Sequence, residues 1–332
     1  MERNTYIDNI KGYLIVLVVL GHIMELMLNN FDVARHSFMF IYIFHMPLFT
    51  FLSGYFSMTE KEGYIGKKLL TRILLPYIIF QTLLLIIKFT YHQPGTITEF
   101  IEAIITPQWA LWYIFCLFFW RLVLPYFMKL PNPVVLSIAI GLLGGFLPKY
   151  GLLLSSSRMM AFFPFFVAGY YTKEKGLFPR QLENLKNSKY KIASIIILLC
   201  ALIFSVIFSG KFISHFVYIK SYFDTGNSVW LCLIFRLIAY SAAFLAGLSF
   251  MIIVPKAASV ISLLGERSLY IYLLHCPIFY VFVCSQSLNI IKHLYGFVAI
   301  TLSGILLAIV LSTNVVQRIT RPLVEPHKAW NL

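Results

Sequence analysis

The chain has 332 residues, 60% of them hydrophobic and only 12% charged, with a mean hydropathy of +0.82. A soluble domain carries roughly a quarter charged residues, so a water-soluble enzyme is excluded. The formal charge of +14 does not point to nucleic acid, because the basic residues gather in loops between apolar runs, the pattern of membrane topology.

Apolar runs of about 17–25 residues recur along the chain, the length that crosses a bilayer as a helix. They predict an all-α fold, a polytopic membrane helix bundle of about ten transmembrane helices, at roughly 12–30, 37–57, 69–91, 109–128, 133–148, 159–172, 192–210, 229–254, 262–284 and 292–317. Residues 1–332 read as one integral-membrane domain; the longest polar stretch, Thr172 to Lys191, is only twenty residues. The first run has no small-residue cleavage site after it and further spans follow, so it is read as a span and not as a signal peptide. The fifth and sixth runs are short and rich in Gly and Pro, and tilted, broken or re-entrant helices are all open there. Segment 96–108 reads as a short amphipathic helix on the outer face. Eighteen basic residues fall on one side of the spans, among them Arg3, Lys61, Arg180 and Lys186, and seven on the other, among them Lys149. The positive-inside rule then places both termini in the cytoplasm. Cys116, Cys200, Cys232, Cys276 and Cys284 all lie inside apolar runs without metal-ligand spacing and read as small buried hydrophobes; no metal is expected.

Ionisable groups inside spans are costly and mark functional candidates. In the first span Lys11 and His22 are eleven positions apart, which is close to three full turns, so they share one face about 16 Å apart. Lys11 sits at the cytoplasmic lip and His22 near mid-depth. Glu25 follows His22 by three residues on nearly the same face, where a carboxylate holds an imidazole in one tautomer and raises its basicity. A histidine that only hydrogen-bonds a neighbouring helix is the alternative. His45 lies in the outer half of the second span, either a structural contact or a member of a site. Lys68 and Arg72, four apart at the start of the third span, are either snorkelling anchors or a cationic mouth for phosphates. Arg121, in the cytoplasmic half of the fourth span, can join that mouth. Arg236 in the eighth span has no polar neighbours in sequence and must face the bundle interior or a wet cavity. In the ninth span Ser268, Tyr272 and His275 fall close to one stripe, while Tyr270 and Tyr272 point to different faces.

Several motifs recur in order: "YIDNIKGYLIVLVVLGH" (6–22), "FHMPLFTFLSGYF" (44–56), "LLPY" (74–77), "LWYI" (111–114), "FFPFFVAGYY" (162–171) and "LGERSLYIYLLHCPI" (264–278). Together they resemble the membrane acyltransferase 3 family, in the branch labelled fucose 4-O-acetylase-like, whose members O-acylate surface polysaccharides and related glycans. The resemblance covers positions 6 to 278 and leaves the last helix uncovered. Lys11 and His22 match the family's basic residue, ten intervening residues and histidine. The family's third-span arginine pair is matched by Arg72 alone, since Thr71 and Leu69 offer no partner and Lys68 is one position off. Some members carry a soluble esterase-like domain; here the expectation is a single acyltransferase domain acting alone or handing its acyl group to another protein.

What the resemblance implies is transfer of an acyl group from cytoplasmic acyl-CoA, acetyl-CoA first among donors, to a hydroxyl of a cell-surface or lipid-linked polysaccharide at the plasma membrane. Such a reaction needs a base for the hydroxyl proton. His22 is the candidate base and Glu25 its orienting acid. Lys11, Lys68, Arg72 and Arg121 are placed toward the anionic donor, and Arg158, Arg236 and His45, with Trp109 and Trp112, toward the acceptor; Tyr272 and His275 are further substrate-binding candidates. The expected partners are the glycan, acyl-CoA, the lipid bilayer and polysaccharide biosynthesis proteins, with no nucleic acid. A polysaccharide exporter or flippase, or a non-catalytic partner of a synthase, are the alternatives; neither requires His22 with its acid.

Overall fold

The computed structural model describes residues 4–57, 64–147, 153–177, 187–218 and 220–330. Arg3, Lys61, Lys149, Arg180 and Lys186, used above in the charge asymmetry, lie outside the described residues. Among the described residues there are helices and no strand: α1 (Thr5–Leu26), α2 (Asp32–Tyr55), α3 (Gly66–Tyr91), α4 (Ile97–Ile105), α5 (Trp112–Phe127), α6 (Pro133–Leu143), α7 (Ser156–Glu174), α8 (Ser188–Val217), α9 (Val229–Ile253), α10 (Val260–Glu266), α11 (Ser268–Ser285), α12 (Leu294–Leu311), α13 (Asn314–Val324) and α14 (Pro326–Ala329). Among the described residues, eight helices are long and apolar enough to cross a membrane: α1, α2, α3, α5 with the turn that opens it, the Ser188–Gly210 part of α8, α9, α11 and α12. The chain is an all-α, multi-pass membrane protein. Inside a bilayer every backbone donor and acceptor must be satisfied within the chain, and a helix does this alone.

The fifth expected span, extended by a 3₁₀ turn to Phe146, is a short apolar helix as expected, and the sixth forms as α7, which begins on Ser156, Ser157 and Arg158 and ends on Lys173 and Glu174. Two others take a different form. The runs 262–284 and 292–317 are each two helices, broken at Arg267 and after Leu311. Arg267 joins the two breaks: it donates to the Ser312 carbonyl and, at 2.6 Å, to Asn314 Oδ1. Each break holds only a few polar residues, Glu266, Arg267 and Ser268 in the first and Ser312, Thr313 and Asn314 in the second, and the apolar runs on either side hide them from hydropathy. The amphipathic helix expected at 96–108 forms as α4. Thr96 accepts from the Glu99 amide at 3.2 Å, Glu99 reaches back to the Gly95 amide at 2.8 Å, and Ile97, Ile101 and Ile104 are exposed.

The chain packs as two compact units. The first comprises Met1–Phe38, Lys67–Phe115 and Val254–Leu332. Here α1 packs on α10, α11 and α12, and α3 on α11. Two glycines let α1 and α10 touch backbone to backbone. A Cβ at Gly12 would lie 2.0 Å from the Ile261 carbonyl oxygen, and one at Gly265 would lie 1.8 Å from that of Asp8. Small residues at such a seam are how membrane helices approach closely. The seam is closed by Asn9, which is fully buried, donates to Pro255 O and Ala257 O at 2.8 Å, and accepts from Ser262 Oγ at 2.5 Å. The second unit comprises Met39–Gly66 and Cys116–Ile253. In it α6 packs on α7 and α8 on α9. The α2 and α7 backbones meet at Gly54 and Gly169, where a Cβ would fall 1.9 Å from Phe166 O and Phe51 O respectively.

Candidate active site at His22 and Glu25

The α1 seam sets the depth and rotation of His22. Its ring is largely buried, and Nδ1 lies 3.0 Å from Glu25 Oε2. The carboxylate accepts, so Nδ1 carries the proton and Nε2 keeps its lone pair. Glu25 is more open than His22, with 37% of its side chain exposed against 11%. The Trp109 ring lies 4.3 Å from the imidazole and the His275 ring 5.4 Å, the latter nearly parallel at 28°. His275 is fully buried. Its Nδ1 donates to the Ile271 carbonyl at 2.9 Å, a group that can only accept, which leaves Nε2 as a lone pair with no partner among the described residues. Phe279 closes on His275 at 5.7 Å and Tyr272 at 6.0 Å. The Tyr272 hydroxyl is tied to Ala110 O at 2.5 Å. His22, Glu25, Tyr272 and His275 thus share one cluster.

Trp109 reaches it from an unusual turn. Its φ of 44° is in the left-handed region, uncommon for a non-glycine residue and held only where surroundings enforce it. Two buried glutamines do so. The Gln108 amide donates to Gln81 Oε1 at 2.9 Å, and Gln81 Nε2 donates to Thr106 O at 2.9 Å. Gln108 Nε2 bonds Ala103 O at 2.7 Å, and Gln108 Oε1 accepts from Tyr280 at 3.0 Å. Neither glutamine was singled out from the sequence. The available signal for Gln81 was an uncharged polar residue inside an apolar stretch, which in a membrane asks for a partner; Gln108, in the linker before Trp109, carried none.

At the other end of the first unit, Lys11 and Lys68 are half-buried and Arg72 exposed. Arg72 sits in a π-helical turn, Leu70–Leu74, a feature often found at functional sites. The short α14 packs against that turn. It is latched by Glu325, which accepts from Tyr270 at 2.8 Å and from Lys328. Burial opposes the Glu325 charge, but these donors outweigh it and hold the carboxyl below its ordinary range. Burial, the Arg72 charge and those of Lys328 and Arg321 all push the His327 imidazole below its ordinary value. Arg72, Arg321 and Lys328 therefore all act on His327, which the sequence reading had not foreseen.

Arg121, Arg158, His45 and Arg236 belong to the second unit. Arg121 on α5 and Arg158 on α7 are half-buried. His45 is buried, donating Nδ1 to Ile41 O at 2.7 Å. Arg236 is 5% exposed and donates to Gly141 O at 3.1 Å. Among the described residues no three His, Cys, Asp or Glu side chains gather as a metal site.

A family model described as an acyltransferase domain matches residues 4–313. The chain belongs to the acyltransferase 3 family. The family match includes His22, Glu25, Trp109 and His275 and ends before α13 and α14, so the Arg321, His327 and Lys328 cluster lies beyond it. This acyltransferase 3 chain is 27% identical over 214 residues to nodulation protein NolL of Sinorhizobium fredii (strain NBRC 101917 / NGR234), covering 60% of the chain and 55% of that relative. It is 30% identical over 186 residues to nodulation protein NolL of Mesorhizobium japonicum (strain LMG 29417 / CECT 9101 / MAFF 303099), covering 51% and 48%. The chain spans about half the length of the curated relatives it matches. No solved structure matches it.

Proposed function

We propose that the protein transfers an acyl group, acetyl in the first instance, from cytoplasmic acyl-CoA to a hydroxyl of a cell-surface or lipid-linked polysaccharide in the plasma membrane. The observation that carries this is the His22–Glu25 pair, with Nδ1 held at 3.0 Å and Nε2 left free. His22 Nε2 takes the acceptor's hydroxyl proton as that oxygen attacks the thioester carbonyl. The tetrahedral adduct expels the CoA thiolate, and the imidazolium returns the proton to sulfur, leaving ester and free CoA. Glu25 keeps the ring in the required tautomer and stabilises the imidazolium, as in hydrolase triads. His275 Nε2, an acceptor only, suits a second hydroxyl of a polyol, and the Trp109 face suits a sugar ring.

The donor enters, in this reading, at the end bearing Lys11, Lys68 and Arg72, with Arg321 and Lys328 adding positive charge for the CoA phosphates. The Lys11–His22 rise of about 16 Å is comparable to a pantetheine arm. Lys11→Glu and Arg72→Glu are expected to weaken acetyl-CoA binding, more at low salt than at high salt, because exposed charges are screened over about 10 Å at 0.1 M. Equilibrium binding to purified variants at two salt concentrations checks this; unchanged affinity in both variants would remove these residues from the donor site.

The same reading puts both termini in the cytoplasm. A reporter fused after Lys175 is expected to be cytoplasmic and one inserted near Gly95 external. The opposite pattern would reverse the side from which the donor enters.

A further inference from the structure

We infer that Arg236 and Tyr218 form a subsite for an oxyanion, a carboxylate or phosphate group, within the second unit. Arg236 lies on α9, one of the apolar membrane-spanning helices. Of its five N–H donors, the bond it makes is the single one from Nη1 to Gly141 O. It has no carboxylate partner among the described residues. The acid near it in the fold, Asp224 on the 3₁₀ turn with Tyr222, is exposed. A guanidinium removed from water without a counter-charge is costly, and buried charges are normally paired. Two aromatic faces offset part of that cost. The guanidinium carbon stands 4.8 Å from the centroid of Tyr222 and 5.5 Å from that of Tyr218.

Tyr218 supplies a second, independent observation. It is 1% exposed, yet its hydroxyl has no hydrogen-bond partner among the described residues. Buried tyrosine hydroxyls ordinarily find one. Its neighbours do: Tyr222 donates to Leu142 O at 2.9 Å and Tyr240 to Ala161 O at 2.8 Å. Tyr218 is also held in the left-handed region at φ 57°, ψ 29°, with its carbonyl accepting from Ser157 Oγ at 2.9 Å. The fold therefore holds, at some backbone cost, an unsatisfied O–H donor beside a guanidinium with unused N–H donors. In a low-dielectric interior, the ligand such a donor set recognises is an oxyanion able to accept from the guanidinium and the phenol. Two sources offer that chemistry: the carboxylate of an acidic sugar, and the phosphate of a lipid-linked carrier or lipid headgroup. The inference deepens the proposed function by assigning an anionic acceptor to it, but the binding is measured without acyl donor and so stands apart from any result at His22.

The test uses the full chain purified in dodecyl maltoside, which brings no competing phosphate. Thermal unfolding is followed with sodium glucuronate, with inorganic phosphate and with glucose at matched ionic strength. The wild type is expected to unfold at a higher temperature with at least one of the two anions and not with glucose. A response to glucuronate alone identifies an acidic sugar, and a response to phosphate alone a phosphate-bearing lipid. Tyr218→Phe keeps the ring over the guanidinium and removes only the hydroxyl; it should weaken the apparent affinity about tenfold or more, the usual loss for a hydrogen bond to a charged group. Arg236→Met should abolish the response. No anion effect beyond glucose in the wild type, or an undiminished one in Tyr218→Phe, overturns the proposal, and that second variant decides the matter even if Arg236→Met does not fold.

Discussion

His22→Gln is expected to lower acyl transfer by roughly 10²–10⁴-fold, the usual contribution of a positioned general base. Glutamine keeps hydrogen bonding at that depth but cannot take up and return a proton at neutral pH. Insertion and folding should survive, because an average interhelical hydrogen bond in a bilayer is worth only about 0.6 kcal/mol, and His22 bonds within its own helix to Glu25. Glu25→Gln should show a smaller loss if the carboxylate only orients the ring and stabilises its cation. Steady-state transfer rates at equal protein level measure both. A larger loss at His275→Ala or His45→Ala, with His22→Gln near wild type, would move the base to another helix.

The second large effect is at the α1–α10 seam. Gly265→Ala is expected to destabilise the protein at or above the upper end of the range for overpacked cores, about 1–3 kcal/mol. The new Cβ would meet Asp8 O at 1.8 Å and Gly12 N at 2.8 Å. Both are backbone atoms, so no side-chain rotation relieves the clash and α1 must shift. Because α1 carries His22, activity should fall with stability. Gly66→Ala is the control. A Cβ there has nothing within 4 Å, and replacing a helical glycine should be neutral or stabilising by up to about 1 kcal/mol. Thermal unfolding in detergent ranks the two; equal midpoints would mean that the seam is not as close as described.

The all-α membrane character was readable from hydropathy because lipid leaves one backbone solution for an apolar run of that length. The His22–Glu25 contact was readable for a related reason: residues three apart on a helix are neighbours whatever the rest of the chain does. The Tyr270–Tyr272 divergence followed from the same period, and the two hydroxyls do bond different partners, Glu325 and Ala110. What escaped the sequence depends on contacts far apart in the chain. The left-handed turn at Trp109 is imposed by Gln81 and Tyr280. The paired helix breaks depend on Arg267 reaching residues 45 and 47 positions away. The gathering of His327 with Arg72 depends on the Tyr270–Glu325 latch, 55 residues apart in sequence. Arg236 was recognisable as a charge that had to face inward, but its tyrosine partners come from outside its helix, Tyr218 at the end of α8 and Tyr222 on a 3₁₀ turn.

Acyl transfer at the His22–Glu25 pair is tested most directly by transfer of label from [¹⁴C]acetyl-CoA to surface polysaccharide by the purified protein. Wild-type protein is expected to move label to the glycan with release of free CoA, and His22→Gln to bind acetyl-CoA but transfer almost none. Glycan labelling by His22→Gln at the wild-type rate would contradict the account, as would a wild-type protein that carries polysaccharide across vesicles while moving no label.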